Sequence, residues 1–248
     1  MVRYRFETKE HDLFRKSYYD EWEQNHLIPK DFWRKLGEMG YLCPQVEEKY
    51  GGLDLDFSFG VVIGEELERV GSGLIGVGLH NDIVVPYIEA YGNEEQKERW
   101  LPKCVTGEYI TAIAMTEPGA GSDLASIKTN GQKTFITNGI HTNLAVVAVK
   151  TDPKERHHGV SLLVIEEGTP GFTKGQKLNK VGMHSQDTAE LYFEDCRVPV
   201  ANLLGEEGKG FTYLMEKLQQ ERLFVAISAQ IAAEDMFELT MTYIKERE

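Results

Sequence analysis

Apolar residues recur at helical spacing through the first hundred residues of the chain. The apolar positions that share one face of residues 31–42 are Phe32, Trp33, Leu36 and Met39. Residues 10–24 and 58–70 show the same spacing of three and four, which predicts two more amphipathic helices. A further helix is expected to begin at an Asn93 cap and to end before Pro102.

The pattern changes near Glu108, where short β-rich runs replace the helical spacing. The runs are ITAIAMTEP, KTFITNG, LAVVAVKT, GVSLLVIEEG and TAELYFEDCRVP, and Gly, Asn, Asp or Pro residues divide them. Several strands at such close spacing predict a small β-barrel or β-sandwich. From about Gly208 a long helical pattern returns and runs to the last residue without a cap.

Helices, then strands, then a helix predict an α+β fold with segregated elements. We expect an N-terminal all-helical domain over residues 1–108 and a middle β-barrel or β-sandwich domain over residues 109–207. Residues 208–248 are expected to form the first helix of a C-terminal helical bundle, and the chain is expected to stop inside that helix.

Composition and charge narrow the class of function. Forty acidic residues against 27 basic ones give a formal net charge of −13, which disfavours nucleic acid as a partner because phosphate binding needs clustered Lys and Arg. Cys43, Cys104 and Cys196 are too far apart to indicate a disulfide framework or a metal-binding pair. No apolar run approaches a membrane span, the charged N-terminus lacks a signal-peptide pattern, and no metal site is expected.

One glycine motif in the helical region is rejected. Residues 71–76, GSGLIG, match the G-x-G-x-x-G spacing of dinucleotide-binding proteins. That motif works only at a strand-to-helix turn, and the preceding residues, GEELERV, have helical spacing. A glycine-rich link between packed helices is therefore favoured over a nicotinamide site.

The segment AMTEPGAGSD, residues 114–123, carries the clearest sign of ligand binding. It follows a predicted strand and combines glycines with the hydroxyl residues Thr116 and Ser122. Glycines let backbone N–H groups approach a ligand, and hydroxyls form directional hydrogen bonds. Taken alone, the segment is equally consistent with an ordinary loop around a tight turn.

Several motifs in one order resemble the acyl-CoA dehydrogenase family. They are AMTEPGAGSD, KTFITNG, TAELYFEDCRVP and NLLGEEGKGF, followed by QQERL at residues 219–223. The resemblance extends from the first helix to the last residue and is greatest to the long-chain and isovaleryl-type branch. It implies that FAD is the cofactor and that an acyl-CoA thioester is dehydrogenated to the trans-2-enoyl-CoA.

The family pattern implies a flavin site built from two segments. In the first segment, the residues lining the flavin would be Ile113, Ala114, Met115, Thr116, Gly121 and Ser122. In the second, Phe135, Ile136 and Thr137 would pack on the isoalloxazine ring, and the Thr137 hydroxyl would bond to flavin N5.

The resemblance also implies that Glu221 is the catalytic base. It would accept the α-proton while hydride leaves Cβ for flavin N5, and a water-poor pocket would raise its pKa toward neutrality. The flavin ribityl chain and the backbone N–H of the base would polarise the thioester carbonyl. A Glu in a charged helix is more often solvated, but Glu221 follows Leu214 by seven residues, which places both on nearly the same face. The substrate-contacting residues would be Ser122, Thr212, Gln219, Gln220, Arg222, His157 and His158.

Partners and compartment follow from the same resemblance. Electrons would pass to an electron-transfer flavoprotein, and the full-length protein would be a homotetramer in the bacterial cytoplasm or, in a eukaryote, in the mitochondrial matrix. Two alternatives stay open: an acyl-CoA oxidase of the same fold that uses oxygen, and a catalytically silent acyl-CoA-dehydrogenase-like binding or assembly protein. The presence of both Thr137 and Glu221 disfavours the silent protein.

The sequence departs from the family pattern in three places. Family members continue well beyond residue 248 and complete a four-helix bundle that holds part of the FAD. Residues 128–130 run directly into residues 131–139, where relatives have another turn and strand, and the first helix is shortened near Ser17. A strand that loses its partner leaves an unpaired edge, so we hypothesise that residues are missing before Gly131.

Overall fold

A computed structural model of the protein describes residues 18–71, 74–121 and 131–247. The helices before the strands are α1 (Asp20–Asn25), α2 (Lys30–Glu38), α3 (Phe57–Val70), α4 (Ile75–Gly78), α5 (Val85–Tyr91) and α6 (Glu94–Val105). A 3-10 turn at Glu48–Tyr50 precedes α3, and a π-helical stretch at Leu79–Val84 joins α4 to α5. The helices expected within residues 31–42 and 58–70 are confirmed, and residues 10–17 of the first predicted helix lie outside the described ranges.

Side-chain caps fix where two of these helices begin. The Asp56 carboxylate accepts a 2.8 Å hydrogen bond from the Ser58 N–H and so caps α3. Asn93 and Gln96 form a reciprocal capping box at the start of α6, because each side chain bonds to the other residue's backbone N–H. The expected cap at Asn93 is confirmed.

The predicted end of α6 before Pro102 is wrong. The helix continues through Pro102 to Val105, and the Thr106 N–H bonds back to the Pro102 carbonyl. A proline within a helix removes one backbone hydrogen bond. In this last turn Leu101, Cys104 and Val105 are buried in the helical core, and their burial outweighs the lost bond.

The middle of the chain forms two sheets. The strands are β1 (Thr111–Ala114), β2 (Gly131–Thr137), β3 (Leu144–Lys150), β4 (Val160–Glu166), β5 (Phe172–Lys177), β6 (Thr188–Phe193) and β7 (Leu203–Leu204). One sheet has the order β1-β3-β4-β7, with β1 parallel to β3, and the other is antiparallel with the order β2-β6-β5. Apolar residues of both sheets form one core, as expected for a β-sandwich. Strands β5 and β7 were not predicted, because β5 has one buried residue and β7 is two residues long.

Helix α7 (Gly210–Glu246) follows the strands and packs on the N-terminal helices. Its buried face contains Leu214, Glu221, Phe224, Ser228 and Ile231. Its last turns expose several large apolar residues, namely Met236, Phe237, Leu239, Tyr243 and Ile244. None of the described helices is long and apolar enough to cross a membrane.

The Asn138 side chain joins the helices to both sheets. Its amide nitrogen donates to the Gly76 carbonyl of α4 at 2.9 Å and to the Thr111 carbonyl of β1 at 3.1 Å. Its oxygen accepts a 3.0 Å hydrogen bond from Gln186, just before β6. Because the side chain is fully buried, these bonds hold the end of β2 rigidly against α4.

Gly71 and Gly76 lie where helices end and pack, as expected. Gly71 caps the C-terminus of α3, and Gly76 lies in α4 with no space for a side chain beside Asn138 and Gln186. The residues before Gly71 are helical, so the strand-to-helix turn of a dinucleotide-binding motif is not formed by the described residues. Gly73 lies outside those residues.

Gly78 allows α7 to approach α4, and we predict that replacing it disrupts this contact. A Cβ atom at Gly78 would overlap the ring of Phe224, which is 2% exposed. Gly78→Ala should lower the free energy of unfolding by about 1–3 kcal/mol in urea denaturation, because overpacking displaces the ring. Gly182→Ala is the matched control, since no atom lies within 4 Å of its added Cβ. Equal stability of Gly78→Ala and the wild-type protein would contradict the assigned contact.

Candidate active site

The two segments expected to line a flavin lie side by side. The Thr134 N–H of β2 donates to the Thr116 carbonyl beyond β1 at 2.9 Å. The buried Lys133 ammonium donates to the Met115 and Ala148 carbonyls at 3.1 and 2.8 Å and pairs with the Glu117 carboxylate at 2.8 Å. These contacts fix residues 115–117 against β2.

Phe135 is turned outward from this corner. The register between β2 and β6 shifts between Lys133 and Ile136, and Phe135 has a positive φ of 59° at this bulge. Its side chain is 68% exposed, although Thr134 and Ile136 beside it are buried. An exposed aromatic ring on a fixed strand can pack against a planar ligand.

The other predicted flavin residues have different surroundings. Ala114 and Ile136 are buried in the sandwich core, so their side chains do not face a ligand. Ile113, Met115, Thr116 and Thr137 are half-buried. Gly121 is exposed, with open space where a side chain would lie. Ser122 lies outside the described residues.

The Glu221 carboxylate lies buried between α7 and α5. The Tyr87 hydroxyl of α5 donates a 2.6 Å hydrogen bond to Glu221 Oε1, and both residues are buried. Leu214 is buried on the same face of α7. The expectation that Glu221 shares the face of Leu214 is therefore confirmed, and the solvated reading of Glu221 is wrong.

Burial makes Glu221 a stronger base than a surface glutamate. Loss of solvent raises the pKa of the Glu221 carboxyl, while the Tyr87 hydrogen bond and the positive charges of Lys217 and Arg222 oppose that rise. The net direction is upward. Burial and the Glu221 charge also raise the pKa of the Tyr87 phenol, so Tyr87 acts as a donor at neutral pH.

One expectation about the thioester carbonyl is wrong. Glu221 lies in the interior of the uninterrupted helix α7. In such a helix each backbone N–H is bonded to the carbonyl four residues earlier. The Glu221 N–H is therefore committed to the helix and cannot polarise a substrate carbonyl.

Most of the predicted substrate residues lie away from the buried face of α7. Thr212, Gln219 and Arg222 are exposed, whereas Gln220 is half-buried and donates a 3.3 Å bond to the Asp82 carbonyl. His157 and His158 are exposed in the β3–β4 loop. The His157 ring packs on the Phe211 ring, with 4.4 Å between the two centroids. Phe211 lies about 15 Å along α7 from Glu221.

Among the described residues, no group of three or more His, Cys, Asp or Glu side chains is placed to hold a metal ion.

A continuous set of contacts connects the two parts of the candidate site. Thr137 precedes Asn138, whose side chain is bonded to Gly76 of α4. Gly78, two residues after Gly76 in α4, lies against the Phe224 ring. Phe224 lies one turn after Glu221 on α7. The strand that carries Phe135 and the helix that carries Glu221 are thus held by the same helical segment.

Comparison with known proteins identifies the family of the chain. Residues 10–108 match the family model described as the acyl-CoA dehydrogenase N-terminal domain, and residues 112–196 match the one described as the middle domain. The chain belongs to the acyl-CoA dehydrogenase family.

Relatives within the family include enzymes of both expected branches. The chain is 45% identical to the long-chain specific acyl-CoA dehydrogenase of Rattus norvegicus over 264 residues, which cover 97% of the chain and 61% of that protein. It is 39% identical to the isovaleryl-CoA dehydrogenase of Pongo abelii, covering 91% of the chain and 60% of that protein. The chain therefore spans about three fifths of the length of these relatives.

A solved acyl-CoA dehydrogenase from Geobacillus kaustophilus shares the fold. Its TM-score to the chain is 0.93 at 63% sequence identity, over 100% of the chain and 71% of the bacterial protein. The predicted fold class, with helical, β-sheet and helical parts in that order, is confirmed.

Two residues that contribute to the candidate site were not predicted from the sequence. Tyr87 lies 134 positions before Glu221, and no local spacing connects the two residues. Lys133 precedes the FIT motif, but its burial depends on three acceptors, two from the segment after β1 and one from β3. The sequence signal that could have indicated the role of Lys133 was a charged lysine within a predicted strand. No sequence signal indicated the role of Tyr87.

Tyr87→Phe removes the hydroxyl that donates to Glu221, and we predict a pH-dependent loss of stability. The hydroxyl favours the charged carboxylate, so its removal raises the folded-state pKa of Glu221 further. A carboxyl whose pKa is higher in the folded than in the unfolded protein favours folding while it is protonated. That contribution to stability is lost as the pH rises through the folded-state pKa. The variant should lose about 1.5–3 kcal/mol in urea at pH 8 and less at pH 5.

Tyr91→Phe is the matched control for this experiment. Tyr91 donates a 2.7 Å hydrogen bond from α5 to Glu216 of α7, but that pair is exposed. Its loss should cost about 0.5 kcal/mol or less at either pH. A pH-independent deficit in Tyr87→Phe, or equal deficits in both variants, would refute the role assigned to Tyr87.

Proposed function

We propose that the protein is an FAD-dependent acyl-CoA dehydrogenase that converts an acyl-CoA thioester to the trans-2-enoyl-CoA, with Glu221 as the α-proton acceptor. The observation that carries the proposal is the buried Glu221 carboxylate, held by Tyr87 at the contact between α5 and α7. Such burial is costly and is retained where a perturbed carboxylate has a function. Family membership supports the same assignment.

The surroundings of Glu221 suit a general base. Tyr87 occupies Oε1 and fixes the carboxylate orientation, which leaves Oε2 as the atom that takes the proton. Loss of solvent raises the proton affinity of the group. The Tyr87 bond and the positive charges of Lys217 and Arg222 limit that rise.

The residues around β2 fit a flavin ring. The Phe135 ring is exposed, Thr137 is half-buried, and the backbone at Gly121 is open. We propose that Phe135 packs on the isoalloxazine and that Ile113, Met115 and Thr116 border it, while Ala114 and Ile136 support it from the core. FAD, when bound, accepts the hydride that leaves the substrate β-carbon.

Electron transfer, assembly and compartment are further parts of the proposal. We assign electron-transfer flavoprotein as the acceptor and a homotetramer as the full-length assembly, both from family membership. The cytoplasm is the expected compartment in a bacterium and the mitochondrial matrix in a eukaryote. The Rattus and Pongo relatives are described as mitochondrial.

Glu221→Gln tests the proposed base. In the full-length protein, the variant should keep its bound flavin but reduce it with acyl-CoA at least about 100-fold more slowly under anaerobic conditions, because the amide cannot accept the proton. Glu216→Gln, an exposed neighbour on α7, is the control and should react normally. Undiminished flavin bleaching in Glu221→Gln would exclude Glu221 as the base.

Phe135→Ala tests the flavin contact. Because the side chain is 68% exposed, its removal should leave the stability of the flavin-free protein unchanged. Affinity for FAD should fall roughly tenfold through the lost ring contact, measured by fluorescence titration of the flavin-free protein. Phe135→Tyr keeps the ring and should bind normally. Unchanged FAD affinity in the alanine variant would argue against this position for the flavin.

A further inference from the structure

A lysine is buried where the two proposed flavin segments meet. Lys133 is 2% exposed, although lysine is among the side chains that are least often fully buried. The three N–H groups of its ammonium have three acceptors, which are the Met115 carbonyl at 3.1 Å, the Ala148 carbonyl at 2.8 Å and the Glu117 carboxylate at 2.8 Å. One side chain of β2 therefore holds both β3 and the segment that follows β1.

Keeping this charge away from water costs the protein stability. Burial lowers the pKa of the Lys133 ammonium, and the Glu117 carboxylate opposes that shift without cancelling it. Apolar residues of similar size can often replace a buried ion pair with no loss of stability. The ion pair is therefore weak evidence for a role in stability alone, and the residues that it fixes indicate what it does.

On β2, the residues fixed by Lys133 belong to the bulge that turns Phe135 outward. Lys133 is the last residue in register with β6 before this bulge, and Asn138 is bonded to α4 after it. Phe135 lies between them with a φ of 59°. This conformation costs free energy in a residue other than glycine and persists only where the surrounding structure imposes it. Lys133 and Asn138 hold the bulge from its two ends.

The same ammonium orients the segment that faces the bulge. Lys133 Nζ donates to the Met115 carbonyl, and the neighbouring Thr134 N–H donates to the Thr116 carbonyl at 2.9 Å, so both carbonyls are turned toward β2. Met115 and Thr116 are half-buried and border the proposed flavin position. A binding segment that is already ordered loses less conformational entropy when its ligand arrives.

We propose that Lys133 is a positioning residue for FAD, which acts through the backbone by tying residues 115–117 to the bulge that carries Phe135. The inference rests on the proposed function and adds to the flavin site a residue with no free donor for the ligand. All three N–H groups of the ammonium are used by acceptors of the protein. Its contribution to FAD binding is the order that it imposes on the residues around it.

The test replaces both charges at once, because Lys133→Met alone would leave the buried Glu117 charge without the ammonium. In the full-length protein, the double variant Lys133→Met/Glu117→Gln should weaken FAD binding roughly tenfold. The reason is that residues 115–117 must then be ordered when the flavin binds. The measurement is fluorescence titration of the flavin-free protein with FAD, and the urea midpoint of the same sample reports on stability.

A second lysine–glutamate pair of the β-sandwich provides the matched control. Lys174 Nζ donates to the Ile140 carbonyl at 3.0 Å and to the Glu167 carboxylate at 2.6 Å, and so holds a different segment. The double variant Lys174→Met/Glu167→Gln should bind FAD with wild-type affinity. An equal loss of FAD affinity in this control would assign the effect to general stability and would overturn the inference.

Hydrogen exchange followed by mass spectrometry measures the order of the segment without flavin. In the flavin-free Lys133→Met/Glu117→Gln protein, residues 131–137 should exchange at least about tenfold faster than in the wild-type protein. The Thr134 N–H accounts for this change, because its acceptor at Thr116 is no longer held. Wild-type exchange in this segment would overturn the inference.

Combination with Phe135→Ala shows whether Lys133 acts on the bulge. Loss of the Lys133–Glu117 pair should weaken FAD binding less in the Phe135→Ala background than in the wild-type background, because the ring to be positioned is absent. The same factor in both backgrounds, or wild-type FAD affinity after loss of the pair, would overturn the inference alone. A wild-type protein that binds no FAD would overturn the proposed function, and this inference with it.

Discussion

The close approach of α7 to the N-terminal helices is the constraint on which the candidate site depends. Two glycines permit this approach. Gly78 leaves room for the Phe224 ring, and a Cβ added at Gly64 would lie 3.0 Å from the same ring, at the limit of contact. With Phe224 seated, the preceding turn of α7 lies directly against α5. Glu221 is consequently buried and bonded to Tyr87, and solvent loss changes its proton affinity. The apolar packing of Phe224 thus determines the burial of the Glu221 carboxylate and, through it, the proton affinity of that group.

The β-sandwich supplies the second half of the site, and one buried side chain sets its position. Asn138 bonds to α4, to β1 and to the segment before β6, so the end of β2 cannot move independently of the helices. The bulge in β2 turns Phe135 outward just before this anchor. A buried carboxylate on one element and an exposed aromatic ring on another are thereby held in a fixed relation, which the proposed reaction requires.

The sequence was sufficient for the order of helices and strands and for the family, because apolar spacing and local motifs are short-range properties. It also placed Glu221 on the buried face, since the seven-residue spacing from Leu214 is two helical turns. It did not predict Tyr87, because its contact with Glu221 crosses 134 positions. Nor did it predict that α6 continues through Pro102, because the compensating burial of Leu101 and Val105 comes from tertiary packing. The roles of Ser122, His157 and His158 remain proposals.

Helix α7 cannot supply every group that the proposed reaction needs. The Glu221 N–H is used within the helix, so in the proposed reaction the donor that polarises the thioester carbonyl would come from another segment or from the cofactor. What α7 provides is a carboxylate of fixed orientation with one oxygen already occupied. In the proposed reaction, the remaining oxygen would define where the substrate α-carbon lies.

A crystal structure of the full-length protein with FAD and an unreactive acyl-CoA analogue tests the account most directly. The account predicts that Glu221 Oε2 lies about 3–3.5 Å from the analogue's α-carbon, on the side opposite the flavin ring, with Tyr87 still bonded to Oε1. An α-carbon remote from Glu221, or one in contact with a different carboxylate, would contradict it.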